Sequence, residues 1–321
     1  MLDYSLVTSS NSLLKPFSFS NTIPNASSSN DFTIKFSTKV VSKSTTNDDD
    51  NHVVNLKCTR RTVAFTSALS LLLPLHTCLP ALAATADADE FQLIQGEVRK
   101  VLTKGKAPGV LRLVFHDAGT YEADTGLGGM NGSIVYELER PENGGLKKSL
   151  KILQKAKTEI DVIQKVSWAD VIAVAGAEAV SLCGGPSIPI QLGRLDSTVP
   201  DPEDKLPAES FDASTLKQCF QKKGFSTQQL IALSGAHTIG GKGFGEPTVF
   251  DNSYFKILLE KPWMTSAGSM IGLPSDRALV QDDECLRWIS TYANNEDLFL
   301  EDFKNAYMKL VNLGARWRES I

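Results

Sequence analysis

The chain carries four histidines, and two of them stand where chemistry could be done. In Leu111-Arg112-Leu113-Val114-Phe115-His116-Asp117, Arg112 and His116 are four residues apart. On a helix they project from one face, into whatever cavity that face lines. An imidazole beside a fixed guanidinium suits the cleavage of a peroxide. The ring takes the proton from one oxygen and returns it to the leaving oxygen, while the cation stabilises the charge that develops. A plainer reading competes: an arginine in a surface ion pair and a buried histidine satisfied by the backbone. His237, in Leu233-Ser234-Gly235-Ala236-His237, is the second candidate, whereas His52 and His76 lie in an N-terminal leader. The cysteines outside that leader, Cys183, Cys219 and Cys285, are odd in number and match no zinc spacing. They imply neither a disulfide framework nor a metal site, and read as buried free thiols.

Helices must position these side chains. Phe91, Leu93, Ile94, Val98, Val101 and Leu102 recur at helical spacing, and Leu146, Leu150, Leu153 and Ile160 do so in a lysine-rich segment. Ser167 and Asp170 give a capped start to an Ala- and Val-rich stretch that runs to Cys183. Ser226 with Gln229 is a capping-box pattern, opening a helix expected to run to about His237. A last helix is expected from about Asp297 to Leu313, with Gly314 as its C-cap. Strand alternation is scarce, glycine- and proline-rich stretches such as Gly184-Gly185-Pro186 punctuate the helices, and no internal repeat is found.

Residues 1–57 hold 18 Ser and Thr with no sustained periodicity and scattered bases, which reads as a chloroplast transit peptide. Arg60-Arg61, an apolar run over 63–75 and Ala81-Leu82-Ala83 before Ala84 form a three-part export signal. Residues 58–83 thus read as a twin-arginine signal for the thylakoid lumen. The run is too short, and too broken by Pro74 and His76, to span a bilayer. Two signals in series imply delivery to the lumen and a mature domain over 84–321 without a transmembrane segment. The whole chain has a formal charge of −4, and the leader carries more bases than acids, so the mature domain is more acidic still. It has no basic stripe, which argues against nucleic-acid binding.

The order of the motifs along the chain resembles that of plant-type haem peroxidases, and in particular their ascorbate-peroxidase branch. The segment around Arg112 and His116 resembles the distal helix, and Leu233-Ser234-Gly235-Ala236-His237-Thr238-Ile239-Gly240 the proximal histidine motif. Val166-Ser167-Trp168-Ala169-Asp170, Leu192-Gly193-Arg194-Leu195-Asp196, Phe250-Asp251-Asn252-Ser253-Tyr254-Phe255 and Leu273-Pro274-Ser275-Asp276 fall in family order. The resemblance implies an all-α haem-peroxidase fold, roughly ten helices in two subdomains around a haem-type cleft, with little or no sheet. It implies haem b as cofactor, with His237 as axial iron ligand and Asp276 as the carboxylate that hydrogen-bonds that ligand. It makes His116 the distal acid–base, Arg112 the distal cation, and Asn143 the residue that orients the distal histidine. Lys104 matches a lysine near the ascorbate site. Thr238 and Asp251 match parts of a cation site found in some relatives, but no metal is expected.

The pattern also departs from the family. Twelve residues separate His237 from Phe250, a shorter stretch than in ascorbate peroxidases. The missing part would carry the proximal tryptophan, an arginine that helps hold ascorbate, and part of the wall at the haem edge. What remains, 240–247, contains four glycines and is expected to make a poor wall. Trp263 matches no family tryptophan and reads as packing. Phe115 stands where ascorbate peroxidases have a tryptophan, and Lys106 where they have a cysteine. The expectation is therefore lost or weakened haem binding, no substantial ascorbate peroxidase activity, and action by binding, with photosystem II or another lumenal thylakoid protein as partner. The alternative is an active haem peroxidase that reduces hydrogen peroxide with a small-molecule donor. A third reading, a small-molecule binder using the cavity, rests on Lys104 alone.

Overall fold

A computed structural model describes residues 79–319. Residues 1–57, read above as a transit peptide, and nearly all of 58–83, read as an export signal, lie outside the described residues. Among the described residues ten α-helices follow one another: α1 Leu79–Val101, α2 Ala107–Ala118, α3 Lys147–Ile163, α4 Trp168–Leu182, α5 Ala213–Lys222, α6 Thr227–Ser234, α7 Ser253–Leu259, α8 Pro274–Leu279, α9 Asp283–Asn294 and α10 Glu296–Leu310. Isolated bridges such as Met264 with Met270 are the β-structure among the described residues. No helix among them is long and apolar enough to cross a membrane. The expected cleavage site after Ala83 falls in the first turns of α1.

The helices form two groups, α1 to α4 packing on one another and α5 to α10 on one another. At the centre of the first lies α4, whose small side chains let neighbours approach on every side. Residues from Ala169 to Val180 are buried along it without a polar stripe, as expected for a helix apolar all round. Its N-terminus is held by the Ser167 hydroxyl, which accepts from the Asp170 N–H at 3.0 Å. Asp196 accepts from the N–H groups of Trp168 and Ala169 at 2.8 and 2.9 Å, satisfying donors that a helix start leaves free. The two groups meet where α10 crosses α4, the Tyr307 hydroxyl donating to the Ala173 carbonyl at 2.8 Å. A Cβ on Gly176 would lie 2.1 Å from that hydroxyl, so this crossing requires glycine. Below it, Arg194 and Asp170 form an ion pair at 2.9 Å with both side chains buried, and Arg194 also donates to the Val311 carbonyl at 2.8 Å.

Two helix ends differ from the expectation, and both differences have local causes. The helix opened by Ser226, where the expected capping box forms, stops at Ser234. The chain then tightens into a 3-10 turn, Gly235–Thr238, as helix C-termini often do. Gly235 sits hard against α10: a Cβ there would come within 2.4 Å of the Phe299 ring. His237 is therefore presented by a turn rather than by an α-helix. The last helix begins at Glu296, capped by Asn295, and ends at Leu310, short of Leu313. Gly314 does adopt a left-handed φ of +62°, but its partner is the Gly128 carbonyl, 2.1 Å from where a Cβ would stand.

Candidate functional site

On one side of a cavity of about 560 Å3, α2 presents Arg112 and His116 from the same face. The helix starts with Pro108 in its first turn, where proline loses no hydrogen bond. The His116 Nδ1 lies 2.7 Å from the Asn143 Oδ1. Asn143 in turn donates through Nδ2 to the Glu137 carbonyl at 2.9 Å, which fixes the amide's orientation, so its oxygen must accept from the ring. Nδ1 of His116 therefore carries the proton and Nε2 is the free base. Asn143 is buried on the 3-10 turn Pro141–Asn143. The same turn receives Arg112, which donates to the carbonyls of Gly144 and Glu142 at 2.8 and 2.9 Å. Burial pushes the pKa of His116 down to about 4; the Asn143 bond works against this and the Arg112 charge adds to it. The ring is accordingly neutral at ordinary pH. Next to it, Asp117 is fully buried and accepts from the N–H groups of Gly132 and Ile134 at 2.9 and 3.0 Å, pinning the 131–134 segment to α2.

Across the cavity, the His237 Nδ1 lies 2.8 Å from the Asp276 Oδ1. Asp276, on α8, is 2 % exposed. Its Oδ1 also accepts from the Tyr254 hydroxyl at 2.9 Å, and its Oδ2 from the Leu273 N–H at 2.7 Å. Protein encloses the His237 ring, yet 38 % of its side chain is accessible because it faces the open cavity. Burial works against a charge on that ring, but the Asp276 carboxylate outweighs burial and the net shift is upward. Asp276 shifts the opposite way: burial raises its pKa, and the His237 charge with three hydrogen bonds brings it below the usual carboxylate value. The two directions agree in describing an ion pair.

The wall between these faces is apolar, with Leu111, Phe115, Leu233, Ile239 and Leu279 prominent in it. Structure and sequence part company at the segment 240–247. This loop is anchored, not loose. Phe244 is 1 % exposed, its ring meeting Tyr254 edge-on at 4.7 Å between centroids. The Gly240 N–H donates to the Pro247 carbonyl at 2.9 Å, and the Gly272 N–H to the Lys242 carbonyl at 2.8 Å. The glycines serve the turns, Gly240, Gly243 and Gly245 all having positive φ, and a single phenylalanine ties the loop down. The sequence reading of this loop weighed its glycines and not Phe244, whose burial is a tertiary fact. Tyr254, within a motif already recognised, gave no signal either, because a hydroxyl that reaches a carboxylate 22 positions away is a tertiary fact.

Five of the six candidate residues, Arg112, His116, Asn143, His237 and Asp276, come together as two hydrogen-bonded sets about this cavity. Lys104 does not join them. It is exposed on the 3-10 turn Lys104–Lys106 and is absent from the cavity lining, which instead includes Lys242. Lys106 reaches back to the end of α1, its Nζ donating to the Val101 carbonyl at 2.9 Å. Thr238 and Asp251 are joined by a direct hydrogen bond of 2.8 Å, and no group of metal-ligating side chains is found among the described residues. Trp263 is half-buried, with Nε1 donating to the Leu258 carbonyl, a packing role. Cys183 and Cys285 are buried and Cys219 only partly so; all three are free thiols.

This arrangement fits a haem. An imidazole whose Nδ1 is taken by a carboxylate offers Nε2 to a metal and is made more basic by its partner. The cavity's volume and its apolar lining with few polar groups suit a large, flat cofactor, and His237 and Asp276 would hold it. An all-helical fold with two oriented histidines on one apolar cavity defines a protein of the haem-peroxidase class. Comparison with known proteins agrees: the Peroxidase family model matches residues 94–246, ending within the loop 240–247. The chain is 70% identical over 232 residues, 72% of its own length and 70% of the relative's, to "Putative L-ascorbate peroxidase 6" of Arabidopsis thaliana. It is 37% identical over 231 residues (68% of this chain, 89% of the relative) to "L-ascorbate peroxidase 2, cytosolic" of Arabidopsis thaliana. It is 38% identical over 232 residues (68% and 77%) to "Probable L-ascorbate peroxidase 4, peroxisomal" of Oryza sativa subsp. japonica. The chain belongs to the peroxidase family and is ascorbate-peroxidase-like.

Proposed function

We propose that the protein binds haem through His237 and reduces hydrogen peroxide with a donor other than ascorbate. The observation that carries this is the pair of oriented imidazoles on one cavity, His116 held by Asn143 and His237 held by Asp276. Bound haem supplies the redox chemistry, and the protein supplies proton transfer and charge. The free Nε2 of His116 takes a proton from peroxide entering between it and Arg112, then returns it to the departing oxygen. Because the ring stays neutral well below neutral pH, the base is ready when peroxide arrives. The guanidinium of Arg112, locked by two carbonyls, faces the charge that develops without reorganising. Ascorbate is set aside because Lys104 stands outside the cavity lining and Lys106 is bonded to the Val101 carbonyl at the end of α1.

A second reading keeps the fold and gives up the chemistry: weakened haem binding and action as a binding protein, with photosystem II or another lumenal thylakoid protein as partner. Its support is the stretch Gly240-Gly241, which offers the cavity backbone and no side chain. Haemin titration followed at the Soret band, in parallel with His237→Ala, separates the two. Tight one-to-one binding that the mutation abolishes supports the peroxidase; no binding by either protein leaves the binding role. The leader supports delivery to the thylakoid lumen by twin-arginine export, and Arg60→Lys with Arg61→Lys should then leave a stromal intermediate. Normal delivery of that double variant would show the pair to be incidental.

A further inference from the structure

Between α7 and α8 the chain makes a short hairpin. The Thr265 N–H donates to the Ser269 carbonyl at 2.8 Å, and the Ile271 N–H to the Trp263 carbonyl at 3.0 Å. These bonds bracket Met264 and Met270, which face each other as an antiparallel bridge. A pair bracketed in this way exchanges no hydrogen bond of its own. It is the closer of the two antiparallel arrangements, with Cα atoms about 4.5 Å apart and both side chains on one face. Met264 is 50 % and Met270 56 % exposed, whereas Met130 is fully buried and Met308 half-buried. A single exposed methionine is ordinary. Here the two exposed thioethers among the described residues are held side by side.

The inner face of the same hairpin supports the cavity wall. Successive strand residues alternate sides, so Ile271 turns away from the methionine face. A Cβ on Gly243 would lie 3.2 Å from the Ile271 side chain, and one on Gly272 would lie 2.6 Å from the Phe244 ring. The Gly272 N–H donates to the Lys242 carbonyl at 2.8 Å. Arg277 grips the strand end, donating to the Ile271 and Gly272 carbonyls at 2.8 Å each. Hairpin and loop 240–247 are thus packed as one unit, with the methionine pair on its outer side.

We propose that Met264 and Met270 are a peroxide-modified pair: hydrogen peroxide converts both thioethers to sulfoxides, which loosens the hairpin and the cavity-wall loop resting on it. In each step a sulfur lone pair attacks one peroxide oxygen, so that an S–O bond forms and the O–O bond breaks. The transferred oxygen gives its proton to the departing hydroxide, which leaves as water. Sulfur loses two electrons and the peroxide gains them. The product side chain is polar where the thioether was apolar. Two sulfoxides at the closest cross-strand position set bulky dipoles against each other in a hairpin with few bonds to hold it. The site needs no haem and stands whatever the cavity holds.

The test uses the protein without haemin, treated with graded hydrogen peroxide. Peptide mass spectrometry should find one added oxygen on Met264 and on Met270 at least about tenfold sooner than on Met308 or Met130. Amide hydrogen exchange on the oxidised protein should then be roughly threefold to fivefold faster at Gly272 and Gly240, with amides in the middle of α4 unchanged. Met264→Leu with Met270→Leu keeps the apolar volume; this double variant should exchange like the untreated protein before and after peroxide. Oxygen added evenly over the four methionines overturns the proposal. So does unchanged exchange at Gly272 once both methionines are sulfoxides, or an equal response to peroxide in the leucine variant.

Discussion

Phe244→Ala tests whether one ring holds the shortened loop against the cavity. Burying a phenylalanine side chain contributes about 1.5–3 kcal/mol by transfer alone, and Phe→Ala in a packed site typically costs about 3–5 kcal/mol. Two backbone hydrogen bonds pin the same loop, Gly240 to Pro247 and Gly272 to Lys242, each contributing about 1 kcal/mol. The ring is therefore the larger anchor. Because the loop has ends fixed by α7 and by the turn that bears His237, its release need not unfold the helices. A loss of about 3 kcal/mol raises the open population by roughly two orders of magnitude. Amide hydrogen exchange reads this directly in the haem-free protein. Exchange at the Gly240 and Gly272 amides should rise roughly a hundredfold, while amides in the middle of α4 change far less. Haemin affinity should fall in parallel. If the loop amides and the α4 amides rise together, the ring supports the whole fold and the loop argument is wrong. If neither rises, Phe244 is not the anchor.

Three further outcomes are expected. The folded-state pKa of His116 is depressed, from 6.5 to about 4, so the fold favours the neutral ring: its contribution is complete above pH 6.5 and is lost as the pH falls towards 4, by on the order of 3 kcal/mol across the window. Denaturant unfolding from pH 7 to 4 should show this slope, and His116→Gln should flatten it. Haemin-loaded protein should oxidise ascorbate no faster than free haemin, and Lys104→Ala should leave any residual rate unchanged; a clear loss on that substitution would restore Lys104 to the site. Asp170→Ala leaves the buried Arg194 guanidinium without its carboxylate and should cost about 3–5 kcal/mol in unfolding free energy, which a Tm shift within error would refute.

The sequence was most readable where the physics is local. Apolar periodicity marked α1 and α3, and the Ser167 and Ser226 caps marked the starts of α4 and α6 to the residue, because a cap is a contact over three positions. The pairing of Arg112 with His116 on one face also follows from helix geometry alone. What the sequence could not show was where long contacts shorten elements. α6 stops at Ser234 because Gly235 lies under Phe299, 64 positions away. The loop over 240–247 read as wall-less because glycine content was legible and the burial of Phe244 was not. The same holds for Lys104, whose position near a family site was legible but whose exposure depends on how the turn Lys104–Lys106 leaves α1.

The support of His237 is separate from the loop that follows it. Asp276 receives three donors: the imidazole from the turn Gly235–Thr238, the Tyr254 hydroxyl from α7, and the Leu273 N–H from its own helix start. None comes from 240–247. A buried carboxylate stays ionised only when its oxygens are satisfied, and here every donor lies outside the loop, which touches this set through the Phe244 ring on Tyr254. The distal set is likewise built away from the loop, with Asn143 holding His116 and the Glu142 and Gly144 carbonyls holding Arg112. The loop can therefore shape the wall and the entrance of the cavity while the hydrogen bonds that orient the two histidines come from elsewhere. A cavity wall without an ascorbate-holding arginine is for this reason compatible with the proposed peroxide chemistry at Arg112 and His116. On the proposed reading, donor binding and proton transfer draw on different elements of the fold.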